Sequence, residues 1–131
     1  MIKEFNLATP REGFIAVNRQ IQAWIDTTSI QEGICTVYCP HTTAGLTINE
    51  NADPDVAHDL ILALNTTFPD DKRFLHGEGN SAAHLKASMV GSSVTVPIKE
   101  GKLMLGIWQG IYFCEFDGPR KRTFYSKVIE G

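Results

Sequence analysis

The sequence predicts an α+β domain with several antiparallel strands and about three helices. Its 131 residues, 43% of them hydrophobic, suit a single domain over 1–131 with one sizeable core. The C-terminal third contains β-rich segments separated by short turns at Glu100-Gly101, Gln109-Gly110 and Asp117-Gly118-Pro119. Helical signals are confined to the first 91 residues. Several antiparallel strands combined with about three helices are typical of α+β domains.

Three helices are predicted from periodicity and capping residues. Phe14, Val17, Ile21 and Trp24 recur at helical spacing, which predicts a helix over 14–29. Asp53-Pro54 predicts an N-cap and first helical position, with the helix continuing to about residue 66. Asn80 and Gly91 delimit the third helix. In the second helix, two sets of apolar residues are expected to face the core: Val56, Leu60 and Ala63, and Ala57, Ile61 and Leu64.

The remaining segments are predicted as strands: residues 2–8, "ICTVYC", "GLTINE", "SSVTVPI", "KLMLGIW", "GIYFCEFD" and "RTFYSKVIE". "IYFCEFD" is apolar on both faces, which indicates burial on both sides, one of which another subunit can cover. Glu115 within it must be paired, hold a ligand or shift its pKa. We expect from this position that Glu115→Gln weakens activity more than stability.

Composition argues against several classes of protein. A net charge of −3 without a basic stripe argues against nucleic acid as the main partner, and no apolar run reaches the ~20 residues of a membrane span. Cys35, Cys39 and Cys114 make an odd count, and the N-terminus has no secretory signal, which predicts a reduced, cytoplasmic protein. Cys35 and Cys39 would lie roughly 13 Å apart on one strand, too far for a disulfide, so we expect small buried hydrophobes.

Three of the four histidines are candidate metal ligands. His84 lies one turn into the third helix, on the face shared by Asn80 and Ser88, and a short loop can bring His76 back over the start of that helix. If His41 joins them, three imidazoles form an open metal site. The alternative, that these are surface or internally satisfied histidines, stays open because their spacing matches no local zinc motif. His58, in the middle of the second helix, is expected to be structural.

Phosphate-binding groups are predicted at two places. The start of the third helix at Asn80, preceded by "GEGN", offers free backbone N–H groups and a positive dipole end. Arg120 and Arg122 in "DGPRKR" can clamp one phosphate if a strand begins there, although a solvated charged turn is an equal alternative. Asn49 and Glu50 end a short strand and can support a histidine or hold a ligand.

The segments "HTTAGLTINENADP", "GNSAAHLKASMVGSS" and "GKLMLGIWQGIYFCEFDGPRKR" closely resemble the YjbQ-like family, also called secondary thiamine-phosphate synthase. The resemblance covers nearly the whole chain. It implies a β-sandwich-like core, assembly into a homotrimer, and weak synthesis of thiamine phosphate and pyrophosphate from a thiazole phosphate and a pyrimidine diphosphate. The family's histidines correspond to His41, His76 and His84. Its polar motif positions correspond to Thr42, Thr43, Asn49, Glu50, Asn80, Gln109, Glu115, Asp117, Arg120 and Arg122.

One motif departs from the family. The usual Gly-Thr-Trp-Gln reads "GIWQ", with Ile107 in place of Thr. Ile107 alternates with Leu103 and Leu105, so it is expected to face the core and leave the site intact. If the Thr hydroxyl normally contacts ligand, its loss affects activity.

The leading hypothesis is a trimeric enzyme with a polar cleft at a subunit interface. His41, His76 and His84 would hold a divalent metal (zinc, magnesium or manganese) or act as general acid and base. Glu115, Glu50 and Gln109 would join His41 in catalysis. Phosphate would be bound by Arg120, Arg122, Asn80, Thr42 and Thr43. Two alternatives stay open: metal-assisted hydrolysis of a phosphorylated metabolite, and a non-catalytic oligomer that binds a metal or metabolite.

Overall fold

The computed structural model describes residues 1–131 and contains eight strands and three helices. Their order along the chain is β1 Ile2–Ala8, β2 Gly13–Ala16, α1 Asn18–Asp26, β3 Gly33–Tyr38, β4 Ala44–Glu50, α2 Pro54–Thr67, α3 Ser81–Val90, β5 Ser93–Lys99, β6 Lys102–Leu103, β7 Gln109–Glu115 and β8 Lys121–Glu130.

The strands form two antiparallel sheets that share one core. One sheet has five strands in the order β1-β8-β3-β5-β6, and the other has three in the order β2-β7-β4. Ile111 and Phe113 of the smaller sheet pack with Val37 and Phe124 of the larger one in a single cluster, which α1 completes through Ile21. The predicted α+β class with a sandwich-like core and three helices is confirmed.

Strand β7 is buried on both faces, as its sequence predicts. Ile111 and Phe113 enter the core between the sheets, whereas Tyr112 and Cys114 pack in a second cluster that includes Ala83 of α3. Both faces are therefore covered within one chain. The expectation that another subunit covers one face is wrong, because α3 does so.

The predicted helix over 14–29 begins too early and ends too late. Residues 13–16 are strand β2, which pairs with β7 so that Phe14 lies opposite Cys114, and the ring centroids of Phe14 and Tyr112 are 5.9 Å apart. Only Asn18–Asp26 are helical. The helical spacing of Phe14 is coincidental, since pairing with a distant strand outweighs local propensity.

Strand β6 is shorter than "KLMLGIW" suggests, and a turn follows it. The turn is closed by Gln109, whose amide N–H donates to the Gly106 carbonyl at 3.0 Å and whose Oε1 accepts from the Gly106 N–H at 2.8 Å. Ile107 in this turn is 88% exposed. The expectation that Ile107 faces the core is wrong, because the strand alternation on which it depended stops at Leu103.

Helix α2 begins as predicted but lies at the surface. Asp53 is its N-cap, with Oδ1 accepting from the Asp55 amide at 2.9 Å. No residue of α2 is fully buried, and the six apolar residues expected to face the core are half-buried or exposed. Ile61 and Leu64 are partly buried and pack against the second cluster.

All three cysteines are free and buried, as expected for small hydrophobes. Burial raises the pKa of each thiol. No helix combines the length and apolar character needed to cross a bilayer.

Gly45→Ala tests how closely α3 must approach β4. A Cβ on Gly45 would lie 2.5 Å from the carbonyl oxygen of Gly91, which caps α3. We expect a loss of about 2 kcal/mol or more in the free energy of unfolding, measured by urea denaturation, because backbone must move. Gly77→Ala is the control, since a Cβ there meets nothing within 4 Å. Equal stability of the two variants would contradict this close packing.

Candidate functional site

A polar cleft of about 350 Å³ brings together the ends of several elements. It contains all three predicted ligand histidines and all five residues predicted to bind phosphate, and none of its ten lining residues is hydrophobic. These residues are Pro40, His41, Thr42, Thr43, His76, Glu78, Asn80, His84, Arg120 and Arg122.

His76 and His84 lie side by side in the cleft. Their ring centroids are 5.4 Å apart with the planes nearly perpendicular, at 85°. The loop between α2 and α3 carries His76, and the second turn of α3 carries His84. The expectation that the loop returns over the start of α3 is confirmed. His58 lies apart from them, exposed on α2 beside Asp59.

His41 is held by the backbone of β8. Its Nε2 lies 3.0 Å from the amide nitrogen and 2.9 Å from the carbonyl oxygen of Thr123. Thr123 therefore engages Nε2 in either neutral tautomer, and Nδ1 is the ring nitrogen left for a ligand. Burial and the positive charge of Arg122 lower the pKa of His41, which keeps the ring neutral near pH 7.

The three histidines line one cleft, but their side chains are not gathered around a single point. No group of three His, Cys, Asp or Glu side chains is arranged to hold a metal ion. His41 is turned toward Thr123, and two arginines line the same cleft. Imidazoles beside guanidinium groups suit an anion better than a cation.

A buried ion pair lies beneath the cleft. Arg122 donates from Nε to Oε1 of Glu115 at 2.7 Å and from Nη2 to Oε2 at 2.5 Å. The side chain of Glu115 is fully buried and that of Arg122 is 6% exposed. The Glu115 carboxylate also accepts from the Thr9 hydroxyl at 2.5 Å and from the Asp117 amide at 3.0 Å. Of the three alternatives for Glu115, the structure shows that it is paired.

The pKa of Glu115 reflects this pairing. Burial by itself would raise the pKa, but hydrogen bonds from Arg122, Thr9 and the Asp117 amide lower it below the ordinary value. The carboxylate therefore stays ionised at neutral pH. Since all four contacts satisfy it internally, Glu115 positions Arg122 and does not itself face the cleft.

Each arginine of the cleft keeps one nitrogen free. Arg122 also donates from Nη2 to the Thr43 hydroxyl at 2.8 Å. Arg120 donates from Nε to the carbonyl oxygen of Asp117 at 2.8 Å and from Nη2 to its carboxylate at 3.0 Å. Nη1 of both arginines forms no hydrogen bond within the chain. Two oriented donors thus remain for an anion.

Asn80 stands at the N-cap position of α3 but does not cap it. Its Nδ2 donates to the Asp117 carboxylate at 2.8 Å, and no side-chain cap is formed. Burial would raise the pKa of Asp117, whereas the hydrogen bonds from Asn80 and Arg120 lower it. Asp117 therefore links the start of α3 to Arg120.

Glu50 and Gln109 lie at the other end of the smaller sheet. In the β4–β7 register, Ala44 pairs with Glu115 whereas Glu50 pairs with Gln109, six residues away. This separation is about 20 Å at ~3.3 Å per residue. One chain therefore does not bring these two predicted catalytic residues to the cleft, and Ile107 lies at their end of the sheet.

Sequence reasoning missed several contributors. Thr9 donates a hydrogen bond to Glu115, which lies 106 positions later in the sequence. The backbone of Thr123 contacts His41, which lies 82 positions earlier. No local pattern signals either contact. Glu78 could have been found from the sequence, because it lies two positions after His76 in "HGEG". One of its carboxylate oxygens is 3.9 Å from His76 Nε2.

Comparison with known proteins places these residues in a family. A family model described as "UPF0047 protein YjbQ-like" matches residues 3–131. The UPF0047 protein YugU of Bacillus subtilis is 49% identical over 98% of this chain and 99% of its own, and the UPF0047 protein MJ1081 of Methanocaldococcus jannaschii is 50% identical over 98% and 94%.

Solved structures share the fold. An uncharacterized conserved protein of the YjbQ/UPF0047 family from Clostridium acetobutylicum is 49% identical and superposes with a TM-score of 0.94, over 97% of this chain and 99% of the other. The hypothetical protein APE1520 from Aeropyrum pernix is 31% identical with a TM-score of 0.93, over 100% and 99%.

The contacts of Glu115 reverse the expectation drawn from sequence for Glu115→Gln. Removing one charge leaves Arg122 buried without its counter-ion, so we expect a loss of about 3 kcal/mol or more in the free energy of unfolding at pH 7. Because the folded-state pKa is depressed, the carboxylate stabilises the fold above its unfolded pKa of about 4.3, and this contribution is lost as pH falls below it. Urea denaturation at several pH values measures both effects.

The exposed carboxylate of Glu4 provides a control for this variant, since Glu4→Gln should leave stability nearly unchanged at every pH. If Glu115→Gln is as stable as the wild type at pH 7, or if the gap between them does not narrow toward acid pH, the buried pair does not support the cleft in the way described.

Proposed function

The chain belongs to the UPF0047 YjbQ-like family, and we propose that it is a small-molecule enzyme whose polar cleft binds a phosphorylated substrate. The proposed reaction is weak thiamine-phosphate synthesis, in which a thiazole phosphate and a pyrimidine diphosphate yield thiamine phosphate and pyrophosphate. The observation that carries the proposal is the pair of oriented arginines facing three histidines in a cleft without apolar lining.

The arginines suit a phosphate because their orientation is set before the ligand arrives. Glu115 holds Arg122 and Asp117 holds Arg120, and each guanidinium keeps Nη1 free. Since both charges already have carboxylate partners, binding depends on directed N–H donors more than on net charge. Preorganised donors of this kind lose little entropy on binding and are effective where negative charge develops.

In the proposed reaction, the thiazole nitrogen forms a bond to the methylene carbon attached to the pyrimidine ring. The C–O bond to the diphosphate breaks, and its electron pair leaves with pyrophosphate. Negative charge therefore accumulates on the departing oxygens, which the Nη1 groups of Arg120 and Arg122 stabilise. His76 and His84 donate N–H groups to the same oxygens, and the neutral ring of His41 orients them through Nδ1.

A divalent cation would have to enter together with the diphosphate, because the side chains as placed suit an anion better than a cation. If zinc, magnesium or manganese takes part, His76, His84 and Nδ1 of His41 are the groups that would hold it. The cation would neutralise charge on the diphosphate. The arginines would keep their role in either case, so their effect can be tested with and without a chelator.

The proposal also assigns Glu50 and Gln109 to the cleft of a neighbouring subunit in a homotrimer. These residues lie about 20 Å from the cleft of their own chain, by the strand rise given above. The turn beside them exposes Ile107 and Trp108, which are 88% and 61% accessible. Exposed apolar side chains at this turn suit a subunit contact.

Arg120→Gln should weaken the binding of pyrophosphate by about 10- to 100-fold, because a charge-assisted hydrogen bond from Nη1 is lost. Isothermal titration calorimetry measures the dissociation constant, with and without EDTA. Arg73→Gln is the matched control, since Arg73 is exposed, paired with Asp71 and outside the cleft.

Unchanged affinity in Arg120→Gln would refute the phosphate site. Loss of all binding in EDTA with intact Arg120 would assign the anion to a bound metal instead. Phosphate release from a single phosphorylated substrate, with no second substrate present, would favour hydrolysis over synthesis.

Mixed subunits test the proposed sharing of the cleft. We expect His84→Ala and Gln109→Ala to lack thiamine-phosphate formation separately, and to regain part of it when co-refolded, because some clefts then receive both native residues. Light scattering measures the mass of each assembly. Mixtures that stay inactive although trimers form would contradict a contribution of Gln109 across the interface.

A further inference from the structure

A second cavity lies on the other side of α3 from the histidine cleft. It has a volume of about 400 Å³ and is bounded by the end of α2, the start of α3 and the β7–β8 turn. It shares Asn80 with the cleft but contains none of the histidines. Lys86, on α3, lines it.

Lys86 is a buried cation without an anionic partner. It is 8% exposed, and no carboxylate lies within 4.0 Å of its amino group. Its one hydrogen bond runs from Nζ to Oδ1 of Asn65. An ammonium group has three N–H donors, so two of them form no hydrogen bond within the chain.

Lys86 and Arg122 differ in the partner of their buried positive charge. The chain's other buried basic side chain has a buried carboxylate, Glu115, as its counter-ion. Lys86 has an amide in that place. The amide is itself fixed, because Nδ2 of Asn65 donates to both oxygens of Glu12 at 3.1 and 3.2 Å. Lys86 is thus held at the cavity wall without a carboxylate in direct contact, because Asn65 lies between its ammonium group and Glu12.

The other groups around the cavity define what can fill it. Arg11 adds a second cation that forms no ion pair, and Phe68 and Phe116 add aromatic surface. Three carboxylates also line the cavity. Glu12 and Asp70 are exposed and therefore hydrated, and the half-buried Asp117 is already paired with Arg120 and Asn80. Because desolvation strengthens the demand for a counter-ion, the buried ammonium decides the preferred charge of the ligand.

We infer that this cavity is a second binding site, which takes a small oxyanion on Lys86 with an aromatic or other apolar part against Phe68 and Phe116. The oxyanion is a carboxylate or a phosphate ester, since both present acceptors to an ammonium. The site does not depend on the proposed function of the histidine cleft. Its occupancy would act on α3, which also carries His84, two residues from Lys86.

The test uses two probes, benzoate and phenyl phosphate, titrated into ¹⁵N-labelled full-length protein. We expect saturable shifts of the Asn65 side-chain amide and of the backbone amides of Gly79, Ala82 and Ala83 in two-dimensional NMR spectra. Lys86→Met should weaken this binding at least about tenfold, because the charge is lost. Lys86→Arg should retain it. The probe that binds more tightly identifies the preferred oxyanion.

His41→Ala separates this site from the histidine cleft, since His41 lines the cleft and not the second cavity, and the variant should leave the shifts near Lys86 intact even if cleft binding is lost. The absence of saturable shifts in the wild type with both probes would overturn the inference. So would equal binding by wild type and a folded Lys86→Met, which would mean that Lys86 is merely hydrated. If Lys86→Met fails to fold, Asn65→Ala and Arg11→Gln take its place. Loss of binding in a folded Asn65→Ala supports the site. Unchanged binding in both variants overturns it.

Discussion

The ion pair between Glu115 and Arg122 is the interaction on which the cleft depends. It crosses from β7 of the smaller sheet to β8 of the larger, and Thr9, Thr43 and the Asp117 amide complete its hydrogen bonds. Burying two charges costs free energy that only good geometry recovers, and here every acceptor position on the carboxylate is used. The pair therefore fixes Arg122 under the cleft and ties the β7–β8 turn, with Arg120, to the end of β1.

Helix α3 divides the polar chemistry of the molecule into two compartments. On one side, His84 faces His76 and the arginines; on the other, Lys86 faces a separate cavity. Asn80 and Asp117 lie between them and are joined by a hydrogen bond. The close approach of Gly45 to the carbonyl of Gly91 holds this helix against β4. A small backbone contact thus sets the position of side chains in both compartments.

The smaller sheet also separates residues that the sequence predicts to form a single catalytic site. Its antiparallel register places Thr43 and Glu115 at one end and Glu50 and Gln109 at the other. The second end carries the exposed turn with Ile107 and Trp108. Ile107 is therefore remote from the histidines of its own chain.

The sequence by itself determined the features that depend on local pattern. The start of α2 at Asp53 follows from capping, and the burial of "IYFCEFD" follows from apolar residues on both of its faces. The short loop before α3 allows His76 to meet His84. Tertiary structure alone decided that residues 13–16 form a strand, that Thr9 reaches Glu115, that Thr123 holds His41 and that Lys86 has Asn65 as its partner. These contacts join segments about 20 to 100 residues apart, and pairing between distant strands is set by register and packing, which no short window of sequence contains.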